Sequence, residues 1–434
     1  MSSSSRPPAA RRRVFYGWWV VASSMVTQML HNSLLFLSQG LYLVELEAAY
    51  GWSRGVISWG FAMVRIETGL LGPLQGWAVD RFGPRPVILV GITSFGLGFM
   101  GLSAVHTLWG FFTAMAVIAI GSSLAGFLTV QTAIAQWFLR KRSRAISLSS
   151  MGYSAGALVA PLVAWSVAAN GWRPTAFASG VVLMVLGIPL SLLYKRNPES
   201  MGLRPDGDPP LEGDAPPALK KGAAPVRGDE TDFRVGEAMR DRAFWLIAAG
   251  HGMALLVVAA VPAHIVPHLM ERNDWSAGTA SLVFPGIMAG QVTGQLAGAA
   301  LGDRLSKRML AAAAMVGHGC AMLLLAYQTS VPAVVVVTLL HGVAWGMRGP
   351  LMMSIRADYY GRRFLGTISG WASSLTMSGS IVGPVLAGVF HDRYGNYTEA
   401  FAIIGAATLV SMVFFAAARR PPTPARVRAL RGES

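Results

Sequence analysis

The sequence predicts an all-α membrane protein whose twelve transmembrane helices fall into two six-helix pseudo-repeats. Three observations predict it. Of 434 residues, 53% are hydrophobic and 13% charged, against roughly 25% charged in an ordinary soluble domain. Apolar runs of about 20 residues recur, each long enough at ~1.5 Å per residue to cross a ~30 Å hydrocarbon layer. Finally, "WSRGVIS" from Trp52 returns 223 residues later as "WSAGTAS" from Trp275.

Backbone in lipid must satisfy its own hydrogen bonds, so the runs are read as helices. They span 15–44, 54–79, 86–105, 108–137, 145–168, 174–195, 243–270, 277–301, 309–328, 332–358, 366–391 and 398–418. The opening "MSSSSRPPAARRRVF" has the basic start of a signal peptide. About 30 residues follow before a polar break, too many for a secretory h-region of ~7–15, so this run is expected to stay as the first helix. The one cysteine, Cys320, lies inside an apolar run and excludes an intramolecular disulfide.

Charge orients the helices. Of 36 Lys and Arg, 29 fall on the N-terminus, the even-numbered connections and the C-terminus, and only Arg54, Arg173, Arg272 and Arg393 on the other side. The positive-inside rule then puts both termini in the cytoplasm of a multi-pass protein of the cell membrane. It also accounts for the net charge of +15 without nucleic acid. Between 196 and 242 the composition turns to Pro, Gly and charge, a linker that cannot build a core. The organisation expected is a cytoplasmic tail (1–14), an N-terminal bundle (15–195), a cytoplasmic linker (196–242), a C-terminal bundle (243–418) and a cytoplasmic tail (419–434).

With the halves separated, further echoes emerge: "VDRFGPR" from Val79 against "GDRLSKR" from Gly302, "AIS" at Ala145 against "TIS" at Thr367, and "NGWRPTAF" from Asn170 against "YGNYTEAF" from Tyr394. Each recurs in the corresponding loop or helix end, which implies a duplicated unit. An even helix number gives both copies the same orientation, the parallel-repeat arrangement of transporters whose site lies between the halves.

"GWAVDRFGPR", Gly76 to Arg85, resembles the signature that follows the second helix in the major facilitator superfamily, with Gly76, Asp80, Arg81, Gly83 and Arg85 matching. The second copy keeps Asp303, Arg304 and Arg308 but has Ala299 and Ser306 where glycines are expected. "WFLRKRSRAIS" and "GYSAGALVAP" are also similar to family patterns, and the resemblance spans essentially the whole chain. "FYGWWVV" and "GWSRGVIS" are most similar to the branch of monocarboxylate and oxalate–formate transporters. The resemblance implies the major facilitator fold, alternating access, and a gating role for the two charged motifs, whose charges can pair across helices and with helix dipoles. It does not bring the branch's anion site with it. The eighth helix carries no arginine and the eleventh no lysine where that branch has them. Glycines four apart, Gly72 with Gly76 and Gly298 with Gly302, suit close helix contact.

Charge inside a helix costs at least ~2.5–3.5 kcal/mol on insertion scales and so marks candidates. Arg65 and Glu67 lie mid-way along the second helix, about 200° apart and therefore not a simple intrahelical pair. Arg348 lies on a tenth-helix stripe with His341, Trp345 and Met352 at helical spacing. Arg356 and Asp358, near the end of that helix, read as interfacial. The first helix has a polar stripe of Ser24, Gln28, His31, Ser38 and Tyr42, with Asn32 beside it. His251 on the seventh helix, and Gln291 and Gln295 one turn apart on the eighth, complete the candidate substrate contacts, with Glu67 the candidate for proton coupling.

Other motifs carry less. "GLGFMG" from Gly96 matches a dinucleotide fingerprint but lies inside a hydrophobic run with no preceding strand. "HIVPH" spaces His264 and His268 like metal ligands near Glu271, but Pro267 disturbs the helix at its outer end, so no metal is expected. No nucleophile–base arrangement emerges, and no cofactor or enzymatic activity is expected. The chain is read as a monomeric transporter in contact with membrane lipid, taking a small solute, favoured as a carboxylate anion and coupled to protons. Its alternatives are efflux of a hydrophobic compound and a sensor that binds solute without moving it. A cysteine placed at Lys220 or Lys221 is expected to resist an impermeant thiol reagent outside intact cells and to react once they are permeabilised; labelling from outside would invert this topology.

Overall fold

The computed structural model describes residues 14–209, 232–424, 426 and 428, without the side chains of Arg65 and Thr68; Lys220, Lys221, most of the N-terminal tail and half of the C-terminal one lie outside the described residues. Ten helices among them are long and apolar enough to cross a membrane. The second and eighth of the expected twelve runs are interrupted. The second breaks at Leu71, between Arg54–Leu70 and Gly72–Phe82, and the eighth at Leu282, between Ala277–Ser281 and Val283–Leu301. Pro73 and Pro285 follow just after these breaks, and each lacks the N–H that would continue the helix ladder. The carbonyl freed by Pro73, on Gly69, accepts the Ser374 hydroxyl of the eleventh helix instead.

The other spans are Gly17–Tyr50, Pro84–Ser103, Leu108–Trp137, Arg142–Asn170, Trp172–Leu192, Arg242–Asn273, Lys307–Tyr327, Val331–Tyr360, Leu365–Tyr394 and Thr398–Ala417. The first helix continues to Tyr50, beyond the expected end at 44, through a π-helical turn at Asn32–Phe36. Glu45 and Glu47 broke the hydropathy there without breaking the helix.

All four sequence echoes are joints. In the doubled heptapeptide, Ser53 and Ser276 are N-caps whose hydroxyls accept from the amides of Val56 and Thr279. Just upstream, Gly51 (φ 66°) and Asp274 (φ 53°) end the preceding helices in the left-handed conformation. Gly171 (φ 83°) and Gly395 (φ 70°) end the fifth and eleventh helices. Copy two departs at one joint: Gly83 has φ 86°, whereas Ser306 has φ −63° and needs no glycine. Helix pairing repeats as well. The first, second and third helices pack on the fifth, fourth and sixth, and the seventh, eighth and ninth on the eleventh, tenth and twelfth.

The halves meet most tightly toward the face that carries the first and last described residues and the linker flanks, here termed the terminal face. Asp80 Oδ1 accepts from the amide of Gly366 at 2.9 Å, and Oδ2 from the amide and hydroxyl of Thr367 at 2.7 Å each. The equivalent Asp303 accepts from the amides of Ser143 at 2.8 Å and Arg144 at 3.0 Å. Each motif aspartate therefore caps the first turn of a helix in the opposite half, where free N–H groups and the helix dipole favour negative charge. Glycines admit the crossing: a Cβ on Gly76 would stand 2.1 Å from the carbonyl oxygen of Gly366, and one on Gly370 2.2 Å from that of Gly72. Gly298 and Gly302 do the same against Ser147 and Ser143.

The motif arginines do not make this crossing: Arg81, Arg85 and Arg304 are exposed, and Arg308 donates to the carbonyl of Ala416 within its own half. Other groups reinforce the closure. Asp358 receives Arg142 at 2.6 Å and Lys307, Arg362 pairs with Glu199 at 2.9 Å, and Gln136 and Arg362 exchange side-chain-to-carbonyl bonds. The linker flanks are thus folded parts of the molecule. Asp206 accepts the amides of Leu139, Arg140 and Lys141, and Phe233 is buried against Tyr360.

A hydrogen bond to a charged group is worth roughly 1.5–3 kcal/mol net, so losing about 2 kcal/mol of capping shifts a closed–open ratio about thirtyfold. Asp80→Ala and Asp303→Ala are each expected to speed labelling of a cysteine at Ser150 by a reagent applied to the terminal face, in a Cys320→Ala background. Unchanged rates in both would show that the caps do not hold this face shut.

Candidate functional site

Between the halves lies a cavity of about 390 Å³. Its walls come from the first, second, fourth and fifth helices of one half and the seventh, eighth, tenth and eleventh of the other. Two backbone features shape it. The fourth helix is interrupted at Ala125–Gly126, where Gly126 is extended and a Cβ would stand 2.6 Å from the carbonyl oxygen of Ser122. In the other half the eighth and tenth helices interleave Gly290 and Gly294 with Gly342 and Gly346, and a Cβ on Gly346 would fall 1.9 Å from the carbonyl oxygen of Gln291. With its glycine stripe against the eighth helix, the tenth helix turns Trp345, Arg348 and Met352 to the cavity.

The lining is mostly apolar, with Val64, Leu255, Val258, Met352, Met353 and Met377 among it, and its charge is of one sign. Arg348 is 1% exposed, and its Nε and Nη1 have no hydrogen-bond partner. Arg356 is 4% exposed and donates from Nη2 to His251 Nδ1 at 3.2 Å. No Asp or Glu is among the described lining residues. An ion out of water without a counter-charge costs several kcal/mol even after relaxation, and among the described lining residues no acid offsets that cost.

Of the residues expected from the sequence, the cavity brings together Arg348, Trp345, His251, His31, Gln291 and Gln295. His31 stacks on Phe36 at 5.4 Å and leans on Phe95. Gln295 ties the halves, donating to the Ser150 carbonyl and accepting from Ser154, both at 3.1 Å. Gln291 Oε1 is buried without a partner. Gln28 also reaches the wall, its amide bonded to Ser149, whereas Ser24 turns into its own half toward Tyr194.

Two expected contacts lie elsewhere. Asn32 donates to the carbonyl of Tyr153 at 2.7 Å and fastens the first helix to the fifth. His341 faces His318 of the ninth helix, Nδ1 to Nδ1 at 3.2 Å, both fully buried. The stripe His341–Trp345–Arg348–Met352 is one helix face, but at the level of His341 that face is covered by the ninth helix and opens on the cavity only from Trp345 onward. Glu67 is half-buried and not among the lining residues, although Gly69 two positions on is. The side chain of Arg65 lies outside the described residues.

Arg356, expected at the interface, is a buried wall residue, because the tenth helix continues to Tyr360. Its spacing of eight from Arg348, a little over two turns, was the available signal. Asp358 sits at the terminal face with Arg142 and Lys307 as described above. In "HIVPH", His264 Nε2 meets the Pro384 carbonyl at 2.9 Å and His268 Nε2 the Leu325 carbonyl at 3.0 Å, so the two rings diverge onto different helices.

The chain matches the family model of the Major Facilitator Superfamily over residues 14–264 and again over 252–434. Monocarboxylate transporter 13 of Bos taurus is 24% identical over 380 residues, 85% of this chain and 82% of that one. The crystal structure of the human organic anion transporter MFSD10 (TETRAN) is similar with a TM-score of 0.68 at 17% identity, covering 94% of this chain and all of that one. That of FucP in the outward conformation gives 0.70 at 15% identity, with the same coverage.

Proposed function

The chain belongs to the major facilitator superfamily and is a multi-pass membrane transporter of small solutes, and from that premise we propose that its solute is an organic anion, a carboxylate, carried across the plasma membrane by alternating access. The observation that carries this is Arg348: buried in the wall, with Nε and Nη1 unpartnered and no acidic side chain among the described lining residues. Guanidinium can donate two parallel hydrogen bonds to a carboxylate, and in a dry cavity such a pair is charge-assisted. The names of the relatives, a monocarboxylate transporter and an organic anion transporter, support the same class.

The terminal face is the cytoplasmic one, on the charge asymmetry, and both termini and the linker belong to it. In this conformation the aspartate caps close it. Transport exchanges this state for one in which the caps release and the halves rock apart on that side. The apolar lining favours a second reading, efflux of an amphiphilic compound whose hydrophobic body contacts Val258, Met353 and Met377.

Arg348→Gln is expected to abolish carboxylate binding and flux in proteoliposomes, and Arg348→Lys to weaken binding at least about tenfold by losing the fork. Wild-type carboxylate affinity in both would locate the anion elsewhere.

Coupling to protons is proposed to run through Glu67, half-buried beside the lining segment of the second helix. A carboxyl there can exchange an arginine partner with the incoming anion and gain or lose a proton as it does. Glu67→Gln is expected to keep substrate exchange and lose uphill uptake driven by a pH gradient. Full gradient-driven accumulation by that variant would exclude the role.

A further inference from the structure

A single carboxylate on Arg348 leaves the second cation of the wall unanswered. Arg356 is as deeply buried, lines the same cavity and takes part in no ion pair among the described residues. Its one described partner is His251 Nδ1. Arginine has donors only, so this contact makes Nδ1 the acceptor, and the neutral ring then carries its proton on Nε2. His251 is itself a wall residue. The pair therefore presents the remaining guanidinium N–H groups and one imidazole N–H, with no acceptor left over: a subsite for a negative oxygen group rather than for an alcohol or an amine.

The two arginine stems leave the tenth helix about 12 Å apart along its axis, and Met352 and Met353 line the cavity between them. A monoanion would balance one of these two positive charges and leave the other buried and uncompensated. We propose that the substrate is an organic dianion, with one acid group on Arg348, the second on the Arg356–His251 pair, and an apolar spacer over the two methionines. This deepens the anion reading above and rests on it. Arg348 is the anchor common to any carboxylate, and Arg356 with His251 decides between one acid group and two.

The test is equilibrium binding to the purified full-length protein of two matched ligand series, linear monocarboxylates and α,ω-dicarboxylates of equal length. Chains from about four to about ten carbons cover what a ~12 Å stem separation admits. The best dicarboxylate is expected to bind at least about tenfold tighter than its monocarboxylate match, a factor worth ~1.4 kcal/mol. Arg356→Gln should bring that ratio to about one. Arg356→Lys should retain part of it, because charge is kept, an outcome that a packing role alone would not give.

If Arg356→Gln does not fold, His251→Phe, which removes the Nε2 donor and frees the guanidinium, must lower the same ratio. A wild-type ratio near one, or a ratio unchanged in these variants, overturns the dianion proposal and leaves the anion reading standing. Binding of both series at wild-type affinity by Arg348→Gln, or binding of neither by wild type, overturns both.

Discussion

The closed arrangement depends on a carboxylate held over the end of a helix from the other half. Asp80 satisfies the first amides of the eleventh helix and Asp303 those of the fifth. Within one half, neither helix start has these partners. Both needs, a half-buried carboxylate and a set of orphan amides, are met only when the halves are pressed together. The glycines of the crossing make that approach sterically possible, since side chains at Gly76 or Gly370 would collide with opposing backbone before the caps could form. The caps therefore exist only where the two halves are in contact.

The cavity follows from the same economy of small residues. Where glycines let the eighth and tenth helices touch backbone to backbone, the bulky face of the tenth has nowhere to go but the space between the halves. That face carries two arginines, and among the described residues no carboxylate was supplied to match them. A charge network that served only to hold helices together would have been closed by an acid, as Asp358 closes Arg142 and Lys307 at the terminal face. The charges at the terminal face are thus answered within the molecule, whereas Arg348 and Arg356 have no carboxylate partner among the described residues.

Much of the fold is legible in the sequence. Hydropathy and the offset echoes implied the two halves, and the echoes prove to be the joints of the chain: serine N-caps, positive-φ C-caps and the paired aspartates. Local chemistry writes such joints into local sequence. What misled was the use of hydropathy as a ruler. It ends the first helix at residue 44, before Glu45, and puts Arg356 at the membrane surface, because a charge breaks an apolar run whether or not it breaks the helix.

The sequence by itself determined the all-helical membrane class and the division into two repeats, since each rests on composition within a few turns or on repetition of the chain. The tertiary structure alone decided which polar side chains share the cavity. His341 and Arg348 lie on one helical stripe, yet one meets a histidine of the ninth helix and the other an open wall. Helical periodicity gives a direction around an axis. What stands in that direction depends on how neighbouring helices tilt and how closely their glycines let them approach, and those contacts join residues distant in the chain.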